Sequence, residues 1–132
     1  MRRGWTSTAM FIGLWSVAVA GFIGALWLNE AQTRAAAEWA READAVERAI
    51  LDEDWPAAAE GLSRLRTSWE HTRSKWALHR EHEEMDEVTD ALTEAAAHIR
   101  MQDQAALVAL RRAKDRVLTL PERDRWDWQN IF

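Results

Sequence analysis

Hydrophobic residues follow two patterns along this chain. From Trp5 to Leu28 they run almost unbroken, 24 residues with no charged side chain, WTSTAMFIGLWSVAVAGFIGALWL. From Glu30 onward they recur three and four residues apart among charged neighbours. The first pattern predicts a transmembrane helix. At about 1.5 Å per residue it would be about 36 Å long, enough to cross a hydrocarbon core of about 30 Å with some tilt. The second predicts amphipathic helices that must hide their apolar stripes against one another.

Within Glu30–Leu51 the stripe is Trp39, Ala43, Val46 and Ile50, in a segment without Gly or Pro. With no breaker after Leu28, this helix is expected to continue the membrane helix into water as a stalk. Asp52-Glu53-Asp54 then interrupts, and Asp54 is the expected N-cap of a helix from Trp55 to about Arg80, with Pro56 in its first turn. Trp55, Leu62, Trp69 and Trp76 recur every seven residues there, with Ala58 and Leu65 between them. A stripe at this spacing is read first as core, and its rings also make Trp69 and Trp76 candidate partner-binding residues. Met85, Val88, Leu92, Ala96 and Ile99 mark a third helix. Met101 to Gln104 is a break with Asp103 as cap, and Ala106, Leu110, Ala113, Val117 and Leu120 mark a fourth that Pro121 is expected to end. The fold class is therefore all-α: one membrane helix over 5–28 and a bundle of three or four antiparallel helices over 29–132. No 34-residue self-similarity of the tetratricopeptide kind is evident.

Charge gives the arrangement a direction. Arg2 and Arg3 are the only charged residues before Glu30, which leaves 15 Lys and Arg against 22 Asp and Glu beyond it, a formal −7. The positive-inside rule places residues 1–4 in the cytoplasm and the acidic domain outside the cell membrane. An acidic domain is a poor partner for nucleic acid or for anionic headgroups. Trp5 and Trp27 suit the two interfacial layers. A rival reading is a cleaved signal peptide, since Ala18-Val19-Ala20 offers an A-x-A site. The apolar run continues well past that site to Leu28, which favours the uncleaved anchor. The pairs Ala9/Gly13, Ala20/Gly24 and Gly21/Ala25 are small residues four apart, compatible with helix pairing in the bilayer.

There are no cysteines, so disulfides, thiolate metal sites and cysteine nucleophiles are excluded and the domain folds on packing alone. The most polar run is His79-Arg80-Glu81-His82-Glu83-Glu84. Two imidazoles three apart, with Asp86 nearby, make His79, His82 and Asp86 candidate metal ligands, though the spacing is not a zincin motif. A solvated helix junction explains the same residues more simply. Ser63, Ser68 and Ser74 lie on predicted helices, without the sharp turn that exposes a nucleophile. No catalytic residue and no cofactor is expected. The tail from Arg123 carries Trp126, Trp128, Ile131 and Phe132. It is expected to fold back and cap the bundle; the alternative is an exposed docking peptide using Trp126, Trp128 and Phe132.

The stretch from Trp69 to Phe132, with W-x(6)-W-x(5)-H-E over Trp69, Trp76, His82 and Glu83 and a closing Asn130-Ile131-Phe132, resembles the bacterial family catalogued as domain of unknown function 4363. The resemblance implies a small protein with one N-terminal membrane helix and a helical remainder. It implies no enzyme activity. It also implies a membrane partner, because relatives are encoded beside another small membrane protein. The Trp-rich composition and the Ala/Arg-rich helix before Leu51 depart from that family's usual flavour. The functional expectation is a non-enzymatic envelope module that contacts the bilayer through 5–28 and binds a membrane protein or itself. The alternative is a ligand- or metal-sensing module at His79 and His82.

Overall fold

The computed structural model describes the backbone of residues 3–76 and 82–129 and the side chains of 9–76 and 82–120. It is all-α, with four helices: α1 (Arg3–Leu51), α2 (Trp55–Trp76), α3 (His82–Arg100) and α4 (Ala106–Gln129). No strand occurs among the described residues. The chain divides into two compact units, Met1–Gln32 and Thr33–Phe132. In the first, every described side chain from Ala9 to Leu28 is exposed, including Phe11, Trp15, Phe22 and Trp27. The helix is unbroken past Leu28, as the absence of Gly and Pro there predicts.

The second unit is an up-and-down bundle. α1 meets α2 through Trp39, whose Nε1 donates to the Leu65 carbonyl at 3.2 Å. α2 meets α3 where Trp69 Nε1 donates to Thr89 Oγ1 at 3.0 Å and Arg73 pairs with Asp86. α3 meets α4 through Arg112–Glu94 and Arg116–Glu87. α4 closes the ring onto α1 through Arg111–Glu47 and Lys114–Asp44. In each neighbouring pair the contacts advance along one helix as they retreat along the other, so all four junctions are antiparallel. The core comprises the predicted stripes: Trp39, Ala43, Val46 and Ile50; Ala58, Leu62, Leu65, Trp69 and Trp76; Met85, Val88, Leu92 and Ile99; Ala106, Leu110, Ala113, Val117 and Leu120. Ala96, expected on the third stripe, is only half-buried and packs against the core from its edge.

Both short joints are built the same way. Glu53 and Gln102 adopt left-handed backbone, φ 55° and 53°. The following amide in each case reaches back across the last turn, Asp54 N–H to the Ala49 carbonyl and Asp103 N–H to the His98 carbonyl, both 2.9 Å. This Schellman pattern satisfies the end of one helix. The next residue's work is immediate: Asp54 Oδ1 accepts from Ala57 N–H at 3.2 Å, and Asp103 Oδ1 from Ala105 N–H at 2.9 Å. Both aspartates are the caps the sequence predicts. Buried positions 36, 39, 43, 46 and 50 in α1 recur 49 residues later as 85, 88, 92, 95 and 99 in α3. Positions 58, 62, 65 and 69 recur 48 later as 106, 110, 113 and 117. The bundle is thus two helical hairpins of one geometry, identical at three of these nine pairs: Ile50/Ile99, Ala58/Ala106 and Leu62/Leu110.

Two expectations are corrected. Pro121 does not end α4, which runs to Gln129. A proline forfeits its own N–H bond and crowds the preceding turn, which can bend a helix rather than stop it, and Glu122 and Arg123 beyond it are good helix formers. For the same reason residues 123–129 do not turn back over the bundle; they extend the helix. Residues 130–132, including Phe132, lie outside the described residues, as do residues 77–81, where α2 was expected to reach Arg80.

α1 and α2 pack closely at Gly61, where an added Cβ would stand 2.9 Å from Val46 Cγ2. Gly61→Ala gains about 1 kcal/mol of helix propensity but overpacks by about 1–3 kcal/mol, so a net loss of about 1 kcal/mol is expected in urea unfolding. In a Val46→Ala background the same change is expected to stabilise. At the joints, Glu53→Gly and Gln102→Gly relieve left-handed strain and are each expected to raise stability by up to about 1 kcal/mol. Asp54→Ala is expected to lower it by about 1 kcal/mol. A urea midpoint for each variant checks these signs.

Candidate functional site

The aromatic seam of α2 is the feature most loaded with interaction chemistry, and it is spent internally. Trp69 is 1% exposed and Trp76 4%. Trp69 makes edge-to-face contacts with Trp39 (centroids 6.1 Å, planes at 63°) and with Trp76 (6.2 Å, 86°). Such contacts add about 0.5–1.5 kcal/mol each to simple burial. The Trp69 N–H is satisfied by Thr89, whose hydroxyl oxygen also accepts from Arg73 Nη1 at 3.1 Å. Trp69 and Trp76, candidate partner-binding residues, thus lie in the core, where a stripe at this spacing is read first, and burial leaves neither ring a face to offer. Trp126 and Trp128 lie on the last turns of α4, and their side chains are outside the described ones.

The candidate metal ligands are not brought into a cluster among the described residues. Asp86 Oδ1 is held by Arg73 Nη2 at 2.6 Å, and an ion there would have to displace a guanidinium. His82 is exposed at the first position of α3. His79 lies outside the described residues. No group of three or more His, Asp or Glu side chains able to hold a metal is present among the described residues. The serines do not form a nucleophile–base pair there either: Ser74 Oγ donates to the His71 carbonyl at 2.8 Å, a helix-surface bond.

Sequence reasoning missed the cross-helix charge ladder. Lys114 Nζ lies 2.8 Å from Asp44 and 3.7 Å from Glu47, which Arg111 also grips. Neither partner is close in sequence, so only a known helix adjacency would reveal the pairs. The hydrogen bond to Asp44, with the charges of Asp44 and Glu47 behind it, raises the Lys114 pKa above the ordinary lysine value. At the α3–α4 joint the Ala105 N–H, and then His98, hold the Asp103 carboxyl below the ordinary aspartate value. His98 Nδ1 is 3.2 Å from Asp103 Oδ2.

On the α1–α2 side small residues leave a groove, floored by Ala45, Ala49, Ala57 and Gly61 and edged by Ser68 and His71. The other apolar feature is the first unit itself, where Phe11, Ile12, Trp15, Val19 and Ile23 line one face of an uncovered helix.

The pKa directions set the expected pH behaviour. Because Asp103 is lowered on folding, its contribution is full above the ordinary carboxylate range and is lost as pH falls through its folded value. Lys114 is raised, so its contribution is full below the ordinary lysine range and is lost as pH rises through its folded value. Thermal melts from neutral pH down to about pH 2 are expected to show a shallower decline for Asp103→Asn than for the unaltered chain.

A family model described as a domain of unknown function (DUF4363) matches residues 26–131. No curated protein and no solved structure matches the chain. The matched span takes in the whole bundle, both joints and the helical end of α4, so the chain belongs to the DUF4363 family.

Proposed function

We propose that the chain is a membrane-anchored, non-enzymatic module of the cell envelope. It is held by its first apolar stretch and binds a neighbouring membrane protein or a second copy of itself. The observation that carries the anchor is that the apolar stretch of α1 has none of its hydropathic window buried by the rest of the protein. A core helix of a soluble protein is covered by its own fold; this one is not. An exposed apolar face of that length is covered by lipid, by another chain or by aggregation. Its length suits lipid, and Trp5 and Trp27 suit the two interfaces. Arg2 and Arg3 favour the cytoplasmic side for the first residues and the outer side for the acidic bundle.

The interaction half of the reading rests on what the bundle lacks and what it offers. Its large aromatics and cross-helix cations are used in holding its own helices together. Among the described residues no group of three or more His, Asp or Glu able to hold a metal accompanies them. The groove at Ala45, Ala49, Ala57 and Gly61 is a place where another backbone can come close.

In-cell crosslinking of the full chain, followed by alkaline extraction and mass spectrometry, tests both halves. The chain is expected to stay in the membrane pellet, to be released when residues 1–28 are deleted, and to return one reproducible integral-membrane partner or its own dimer. A chain that extracts fully at alkaline pH would end the anchor reading. A pelleted chain with no reproducible adduct would end the interaction reading.

A further inference from the structure

Cations at the helix boundaries of this bundle reach across to the neighbouring helix: Arg73 to Asp86, Arg112 to Glu94, Arg116 to Glu87, Arg111 to Glu47 and Lys114 to Asp44. Arg66 of α2 and Arg100 of α3 do not. Both line the cleft between those two helices and both are exposed. Among the described residues neither has an ion-pair partner. In an acidic chain, two guanidiniums left unanswered in one cleft are available to an anion from outside. Between them Ala59 and Ala96 contribute only methyl groups, and Leu62 and Ile99 form the apolar floor of a cavity of about 380 Å³. The pairs Trp69–Thr89 and Arg73–Asp86 set the antiparallel register, in which Arg100 stands level with Ala59 and Ala96 with Leu62. Arg66 lies seven residues beyond Ala59, about 10 Å at the usual helical rise. The apolar floor at Leu62 and Ala96 falls midway between the two charges. Glu70, one turn past Arg66, lines the continuation of the cleft and ends its positive stretch.

We propose that the α2–α3 cleft docks an acidic amphipathic helix of the neighbouring membrane protein, one with two carboxylates a heptad apart and an apolar side chain between them. The proposal rests on the interaction half of the reading above and names the surface and the partner's chemistry. Side chains seven apart on a helix lie on one face, about 10 Å from each other, which is the spacing of the two arginines. Each guanidinium takes one carboxylate, and the residue three or four along enters the floor at Leu62 and Ala96. A helix brings a backbone that already satisfies itself. An extended peptide would instead lay unpaired N–H and C=O groups on an apolar floor. A two-fold dimer through the same cleft would set arginine against arginine, which disfavours a second copy as the occupant. Glu70 limits the register, because a third carboxylate one turn further on would be repelled.

The test is site-specific photo-crosslinking of the full chain in its native cells. Benzoylphenylalanine replaces either Ala59, in this cleft, or Ala45, in the α1–α2 groove, and the crosslinked peptide is sequenced by mass spectrometry. Position 59 is expected to give an adduct with a membrane protein, through a peptide that carries two Asp or Glu seven apart and an apolar residue between them. The yield is expected to fall about fivefold with Arg66→Gln or with Arg100→Gln, and to survive Arg66→Lys and Arg100→Lys. Ala96→Leu, which fills the floor and leaves the charges alone, is expected to lower it too. Circular-dichroism melts of each variant separate lost docking from lost fold. No adduct from position 59 would overturn this proposal, and an adduct from position 45 alone would do so while leaving the interaction reading standing. An adduct from 59 that ignores the arginine changes, or whose peptide lacks the carboxylate pair, would overturn it as well. An adduct from 59 with the chain itself would replace the partner by a second copy and sink the proposal.

Discussion

The indole of Trp69 touches Trp39 of α1, Trp76 of its own helix and Thr89 of α3, so one side chain joins three helices. A small bundle without disulfides needs such a residue. Its core is thin, and conformational entropy opposes every ordered residue by about 1–2 kcal/mol. Large flat rings answer this economically, since a tryptophan buries a great deal of surface while freezing only two side-chain torsions. The polar edges are answered too. Trp39 gives its N–H to a helix carbonyl and Trp69 to a hydroxyl, so neither indole is buried with an unmet donor. Arg73 then holds both Thr89 and Asp86, and the α2–α3 contact becomes directional rather than merely greasy.

The stripes of the bundle were legible because amphipathic spacing and core burial are two views of one constraint. A side chain at position 39, 43, 46 or 50 faces the same way whatever it packs against. The caps were legible for a local reason as well: Asp54 and Asp103 need only their own following amides. The features that escaped are non-local or run against propensity. Nothing about Glu53 or Gln102 announces a left-handed residue, because glycine is the usual signal and neither joint has one. The pairing of Lys114 with Asp44 joins residues 70 apart and presupposes that α4 lies beside α1. Pro121 misled because a helix can carry a proline at the loss of one hydrogen bond, and α4 runs on to Gln129.

The equivalence of the two joints explains why the hairpins match while sharing few residues. What recurs is a distance: four residues from the last buried isoleucine, Ile50 or Ile99, to the capping aspartate. In between, one residue turns left-handed and the reversed amide closes the old helix. Any residue that tolerates that φ at modest cost will serve, so identity is free to drift while geometry is held.

Functional legibility divides along the same line. The apolar run is a property of composition, visible at once, and the fold leaves it uncovered. The Trp residues, by contrast, had no fixed meaning as a set. Trp39, Trp69 and Trp76 belong to the core, while Trp15 and Trp27 stand exposed on the apolar run. The difference lies in what each helix face meets: a ring on the stripe turned into the bundle has protein to cover it, and a ring on the apolar run has none. A sequence rich in one aromatic therefore has to be sorted by which of its rings the fold covers before any of them can be assigned to a partner.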